Sequence, residues 1–213
     1  QETQHELSEF EADVALRMVA QYMTTFSCTL TPSDNITIAE VEVLWQQVVQ
    51  SSEQSTFFTA WDWISSTLFL APDAWWLQQC YSNGNLIALA IWFEKTVNHF
   101  GIKRRQLWLH KTGHDDLDRV WIEYNNFVVD SNFDATEVSK VMLNFLIKQE
   151  TLPFDELHVD MTTQLIDVVP VFATLHTSCF VHEKLATKGY RASLENESDT
   201  WLSKNTRYQL KRS

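Results

Sequence analysis

Apolar positions along the chain follow two different periods. Leu7, Phe10, Val14, Met18 and Met23 recur near helical spacing, with Ser8 and Glu11 placed as a capping box, which predicts an amphipathic helix over 8–26. Pro32, Ser33, Asp34 and Asn35 then mark 27–36 as a turn-rich link. Val41, Leu44, Trp45, Val48 and Val49 predict a second helix. Phe57, Phe58, Trp61, Ile64 and Leu68 predict a third, after a Ser/Gln/Glu-rich break at 50–56. From Trp75 the period changes. WWLQQCY and LIALAIWFEKTV flank Ser82-Asn83-Gly84, and Asn-Gly between apolar runs is a strong hairpin signal. Further strands are expected at 106–109, 120–129 and 157–161, with helices at 137–148 and 171–188.

Strands in antiparallel succession, followed by alternating helices and strands, predict an α/β or α+β fold: a mixed, mostly antiparallel sheet flanked by helices. The expected organisation is an N-terminal helical extension over 1–36, one lobe over 37–202, and the start of a basic helix over 203–213. That last stretch carries Lys204, Arg207, Lys211 and Arg212 with no acid, and sets Tyr208 and Leu210 among them.

Composition narrows the functional classes. Hydrophobic residues make up 45% of 213 positions, including nine Trp and thirteen Phe, so a core sufficient without disulfides is expected. A net charge of −12 argues against a whole-domain footprint on nucleic acid or anionic lipid, because phosphate binding needs clustered Lys and Arg. The longest strongly apolar run, 86–93, is less than half of a bilayer span, so no membrane span is expected. Cys28, Cys80 and Cys179 are odd in number and form no CxxC, which suits a reduced cytoplasm and buried packing roles. No signal peptide is visible.

Local signatures for nucleotide binding, serine hydrolysis and zinc proteolysis (GxGxxG, GxxxxGK, GxSxG, HExxH) are all missing from the sequence. Two polar clusters remain. His110, His114 and Asp116 lie in the loop HKTGHDD, where a metal site is weighed against a solvated connection, and the spacing favours no metal. Glu123, Tyr124, Asn125 and Asn126 interrupt an apolar run that reads as a central strand. A Glu raised in pKa by burial beside a Tyr could remove and return protons in acyl transfer. The competing reading is plain alternation, with one polar face turned to solvent.

WDW at 61–63, NGNLIALAIW at 83–92, LHKTG at 109–113 followed by DRVWIEYNNFVV, FDELHVD at 154–160, KGYRASLE, and WLSKNTRYQLKRS at 201–213 together carry a resemblance. Over about residues 40–213 the chain resembles the CelD-like and FemAB-like proteins of the GNAT acyltransferase superfamily, which are associated with bacterial polysaccharide systems. The most specific parts are IEYN and the terminal SKNTRYQLKRS. The resemblance implies a GNAT-like sheet with splayed central strands. It also implies transfer of an acyl group from acyl-CoA, such as acetyl-CoA, to the amine or hydroxyl of a small-molecule or glycan-precursor acceptor. Glu123, Tyr124 and Asn125 are then the catalytic candidates. Asn205, Arg207 and Arg212 are the candidates for binding anionic groups of donor or acceptor.

Such a lobe cradles the CoA pyrophosphate on backbone amides at a Gly-rich turn leading into a helix. Here that turn reads VVDSNFDATEVSK, with no Gly and no Arg, and with Asp130, Asp134 and Glu137 where phosphates would sit. Three carboxylates repel a pyrophosphate. The resemblance therefore implies that this chain is the N-terminal lobe of a tandem protein, inactive by itself, with the acyl-CoA bound by a second lobe that is not in this chain. The alternative is a degenerate, non-catalytic interaction module of the same fold. Its acidic body and basic tail would bring copies together as a homo-oligomer.

Overall fold

In the computed structural model, which describes residues 26–52, 56–120 and 122–164, the alternating stretch FSCTLTP forms the first strand, β1 (Phe26–Pro32). It pairs antiparallel with a later strand, so part of the stretch expected to be a link belongs to the sheet. Of the helix expected over 8–26, only Phe26 is described. The helix expected over 171–188 and the tail bearing Asn205, Arg207 and Arg212 lie outside the described residues.

A short 3-10 turn leads into α1 (Ile38–Ser51), which starts at a reciprocal cap. Thr37 Oγ1 accepts from the Glu40 N–H at 3.2 Å and Glu40 Oε2 accepts from the Thr37 N–H at 2.8 Å. A second 3-10 turn, Phe57–Thr59, precedes α2 (Trp61–Leu70). Then come β2 (Trp75–Ser82), β3 (Asn85–His99), β4 (Ile102–Leu109), the two-residue β5 (Val128–Val129), α3 (Ala135–Lys148) and β6 (Glu156–His158). The hairpin joining β2 to β3 turns on Asn83 and Gly84 with φ of 50° and 82°, the left-handed pair that a two-residue hairpin turn requires.

Among the described residues the strands form one six-stranded sheet in the order β1-β2-β3-β4-β6, with β5 also on β3. Neighbours are antiparallel except β4 and β6, which run parallel. The mixed, mostly antiparallel sheet flanked by helices is thus the observed fold class. All described residues fall in one compact unit.

From Ile87 to Phe93, β3 is buried on both faces, which is why this stretch reads as an unbroken apolar run. Ala88, Ala90 and Trp92 face α3, where they meet Val138, Met142 and Leu146. Leu89, Ile91 and Phe93 face α1 and α2, where they meet Val41, Trp45, Val48, Ile64 and Leu68. Each apolar layer also holds polar contacts that satisfy buried donors. Trp92 Nε1 donates to Gln78 Oε1 at 2.8 Å, and Gln78 Nε2 donates to the Met142 carbonyl at 2.7 Å, joining β3, β2 and α3 through two fully buried side chains. On the other face Trp45 Nε1 donates to the Thr59 carbonyl at 2.8 Å.

Candidate functional site

The strand expected over 120–129 is reduced to Val128–Val129. Leu109 of β4 pairs with Trp92 and Val128 of β5 with Leu89, so the eighteen residues 110–127 stand against only two, Ala90 and Ile91, on β3. The residues between are extruded from the ladder. His110 leaves it with its N–H still donated to the Ile91 carbonyl at 2.9 Å, and Asp130 continues it by donating to the Ile87 carbonyl at 2.8 Å.

Asp118 organises the first half of this excursion. Its carboxylate accepts from the Thr112 N–H at 3.1 Å, the Thr112 hydroxyl at 3.0 Å and the Gly113 N–H at 2.7 Å. Gly113, at φ 75°, lies so close to Trp108 that a Cβ there would sit 2.6 Å from the indole nitrogen. The other polar groups of the loop go to separate partners. His114 Nε2 meets Asp73 at 2.8 Å, and Asp116 meets Arg119 at 2.9 Å. His110 is buried, and its Nδ1 lies 3.1 Å from Asn125 Oδ1. Among the described residues no group of three His, Cys, Asp or Glu is arranged to hold a metal.

The second half departs most from expectation. Glu123 is exposed and Tyr124 is half exposed, so neither is the buried residue expected of a central strand. Alternation suggested a strand, but Tyr124 takes φ 54°, which no strand residue adopts. Asn125 and Asn126, in contrast, are buried at 1% and 7% exposure and fully engaged. The Asn125 N–H donates to the Met161 carbonyl at 3.1 Å and its Nδ2 to the Leu109 carbonyl at 2.8 Å. Asn126 Oδ1 accepts from the Thr162 hydroxyl and the Thr163 N–H, both at 2.9 Å, and from the Gln164 N–H at 3.2 Å. Gln164 Oε1 in turn accepts from the Phe127 N–H at 2.9 Å.

These bonds define a junction. β4 and β6 pair backbone to backbone at Gln106–Trp108. Where the chain returns at Asn125–Phe127 beside Met161–Gln164, a single backbone bond, from the Asn125 N–H to the Met161 carbonyl, is supplemented by the side-chain amides of Asn126 and Gln164. Three non-glycine residues with left-handed backbone meet here: His110 at φ 52°, Tyr124 at 54° and Met161 at 58°. Such conformations cost on the order of 1 kcal/mol or more each and cluster at functional sites. Asn125 contacts all three segments, through His110, its own chain neighbour Tyr124, and Met161.

The imidazole at this junction has a defined proton. Asn125 Nδ2 is committed to the Leu109 carbonyl, so Oδ1 faces His110 and His110 Nδ1 carries the hydrogen. Nε2 is left as a bare lone pair with no partner among the described residues. Burial pushes the imidazole down to about 3, against the pull of the Asn125 bond, so the ring is neutral at pH 7. Trp45 packs edge-on at 5.5 Å between ring centroids.

The turn that a CoA pyrophosphate would need lies just beyond β5, and most of its amides are already used. Asp130 Oδ1 accepts from the Asn132 N–H at 2.9 Å, and Asp134 Oδ1 accepts from Thr136 and Glu137 N–H at 2.8 and 3.1 Å. The N–H groups of Ser131 and Phe133 go to the carbonyls of Ser51 and Asp130. The turn is folded around its own carboxylates as a helix cap, so these residues do not fit the diphosphate of a coenzyme.

No protein-family model matches the sequence, and no curated protein matches it. Among solved structures, the chain is similar to a glucosamine-6-phosphate N-acetyltransferase from Arabidopsis thaliana, with 10% identity and a TM-score of 0.44 over 78% of this chain and 98% of that one. It is also similar to an acetyltransferase from Trypanosoma brucei, with 11% identity and a TM-score of 0.42 over 77% and 100% of the two chains. A ribosomal-protein-alanine N-acetyltransferase from Brucella melitensis gives 12% identity and a TM-score of 0.38 over 78% and 100%.

Proposed function

We propose that this chain is an acyltransferase-related lobe that shapes an acceptor site and leaves the acyl-CoA to a second lobe outside this sequence. The observation that carries the proposal is the junction of His110, Tyr124, Asn125 and Met161, where strained backbone gathers as two sheet strands part. The motifs of the GNAT resemblance support it by their placement. NGNLIALAIW supplies the β2–β3 turn and the first half of β3, IEYN lies in the excursion that ends at the junction, and FDELHVD contains β6. The acceptor is an amine or hydroxyl, of the kind found in glycan precursors.

Within this lobe the exposed Glu123 carboxylate and the Tyr124 hydroxyl are the groups open to an acceptor. Asn125 is a positioning residue: it fixes the His110 tautomer and ties the excursion to the segment after β6. Asn205, Arg207 and Arg212 are proposed to bind anionic groups of donor or acceptor. No step is assigned to the turn at 130–137, whose carboxylates occupy its own amides.

The test is acetyl-CoA-dependent acylation of amine and hydroxyl acceptors by the 213-residue chain and by the longest product of its gene, side by side. Activity confined to the longer product, and reduced at least tenfold by Glu123→Gln, is the expected result. Activity of the 213-residue chain alone, or none in either form, would overturn the proposal.

A further inference from the structure

Directly opposed residues of an antiparallel pair place their side chains on the same face of the sheet. Cys28 of β1 stands opposite Cys80 of β2. Both pack in the cluster between the sheet and α3, where each thiol is the leading influence on the other's ionisation. Opposed antiparallel residues have Cα atoms roughly 4.5–5.5 Å apart. A disulfide spans roughly 4.4–6.8 Å, so side-chain rotation alone can join these sulfurs. Access is asymmetric: Cys28 is partly exposed on the outer strand of the described sheet, and Cys80 is fully buried.

We propose that Cys28 and Cys80 form a reversible dithiol–disulfide pair, oxidised by exchange with a small-molecule disulfide. Cys28 Sγ loses its proton to solvent, attacks one sulfur of the external disulfide and releases one thiol. Cys80 Sγ then loses its proton, attacks Cys28 Sγ and releases the second thiol. Two protein thiols give up two electrons, and the external disulfide takes them up as two thiols. The neighbouring Cys80 and burial push the Cys28 thiol up, while Cys28 holds the Cys80 thiol down, so the first step at the accessible Cys28 is slow near neutrality and accelerates as pH rises, and the buried Cys80 is the readier to attack in the second. The cross-link closes a loop that contains all of α1 and α2. Chain-entropy arithmetic for a loop of that length gives about a thousandfold in the folding equilibrium.

The test uses the 213-residue chain treated with oxidised glutathione at pH 8, then alkylated under denaturing conditions, digested and analysed by mass spectrometry. The expected result is a peptide linking Cys28 to Cys80, with an unfolding midpoint raised on the order of 10 °C and restored by dithiothreitol. Cys28→Ser should keep the reduced protein's midpoint within a few degrees and abolish both the linkage and the oxidative shift. Glutathione remaining on Cys28, a linkage through Cys179, or no Cys28–Cys80 linkage in protein that is folded by circular dichroism would overturn it.

Discussion

Replacing Gln78 with Leu tests whether the buried amide relay, rather than apolar contact alone, holds the sheet to α3. Gln78 is fully buried, accepts from Trp92 Nε1 at 2.8 Å and donates to the Met142 carbonyl at 2.7 Å. Leu fills similar space but leaves the Trp92 N–H without an acceptor at a position with no exposure. Met142 sits in mid-helix, where its carbonyl already accepts one intrahelical bond, so the indole carries most of the cost. An orphaned buried donor costs about 1–3 kcal/mol. The expected loss is therefore about 2 kcal/mol, or a fall of roughly 4–8 °C in the unfolding midpoint for a chain of this size. Urea denaturation of the wild type, Gln78→Leu, Trp92→Phe and the double variant gives the pairwise term directly. In the Trp92→Phe background Gln78→Leu should cost at least 1 kcal/mol less than in the wild type, because no donor is left to orphan. Equal costs in both backgrounds would refute the relay.

Other consequences are equally direct. Asp134→Ala removes the cap from the Thr136 and Glu137 N–H groups and should cost about 1 kcal/mol in urea denaturation. Gly113→Ala places a Cβ 2.6 Å from the Trp108 indole at a left-handed residue, and should cost about 1–3 kcal/mol and alter the tryptophan fluorescence. His110 titrates near 6.5 when unfolded and at about 3 when buried, so the unfolded state binds the extra proton between those values. Its contribution to stability is complete above pH 6.5 and falls by up to about 1.4 kcal/mol per unit as pH drops toward 3. His110→Phe should flatten that window of the stability profile. Glu156 acts in a lower window: Arg104 and Gln106 hold its carboxyl down to about 2, so its contribution is present above pH 4.5 and is lost as pH falls through 2.

Much of the framework was legible because single residues dictate it. Asn83-Gly84 supports few conformations other than the observed hairpin turn, and the run Leu86–Phe93 is apolar at both parities because helices cover both faces of β3. The helices α1 and α3 followed from apolar spacing, to within three residues at each end. β1 was missed because the turn residues Pro32, Ser33, Asp34 and Asn35 dominated the reading of 27–36, although Phe26, Cys28 and Leu30 alternate with Ser27, Thr29 and Thr31 as a strand requires. The excursion was missed for a related reason. IEYNNFVV has strand-like composition, yet Asn125 and Asn126 find their partners in Leu109 and in Met161–Gln164, segments that no local pattern places beside them. The acidic turn was legible in composition, but its use was not: the carboxylates do more than repel an anion, since they occupy the amides that an anion would need.

That occupancy is tested most directly by titrating the 213-residue chain with coenzyme A while following backbone amide resonances by NMR. The carboxylate-capped turn predicts no saturable shifts for residues 130–138 at up to millimolar ligand, that is, a dissociation constant weaker than about 1 mM. Saturable micromolar binding with its largest shifts at Asp130–Val138 would contradict it.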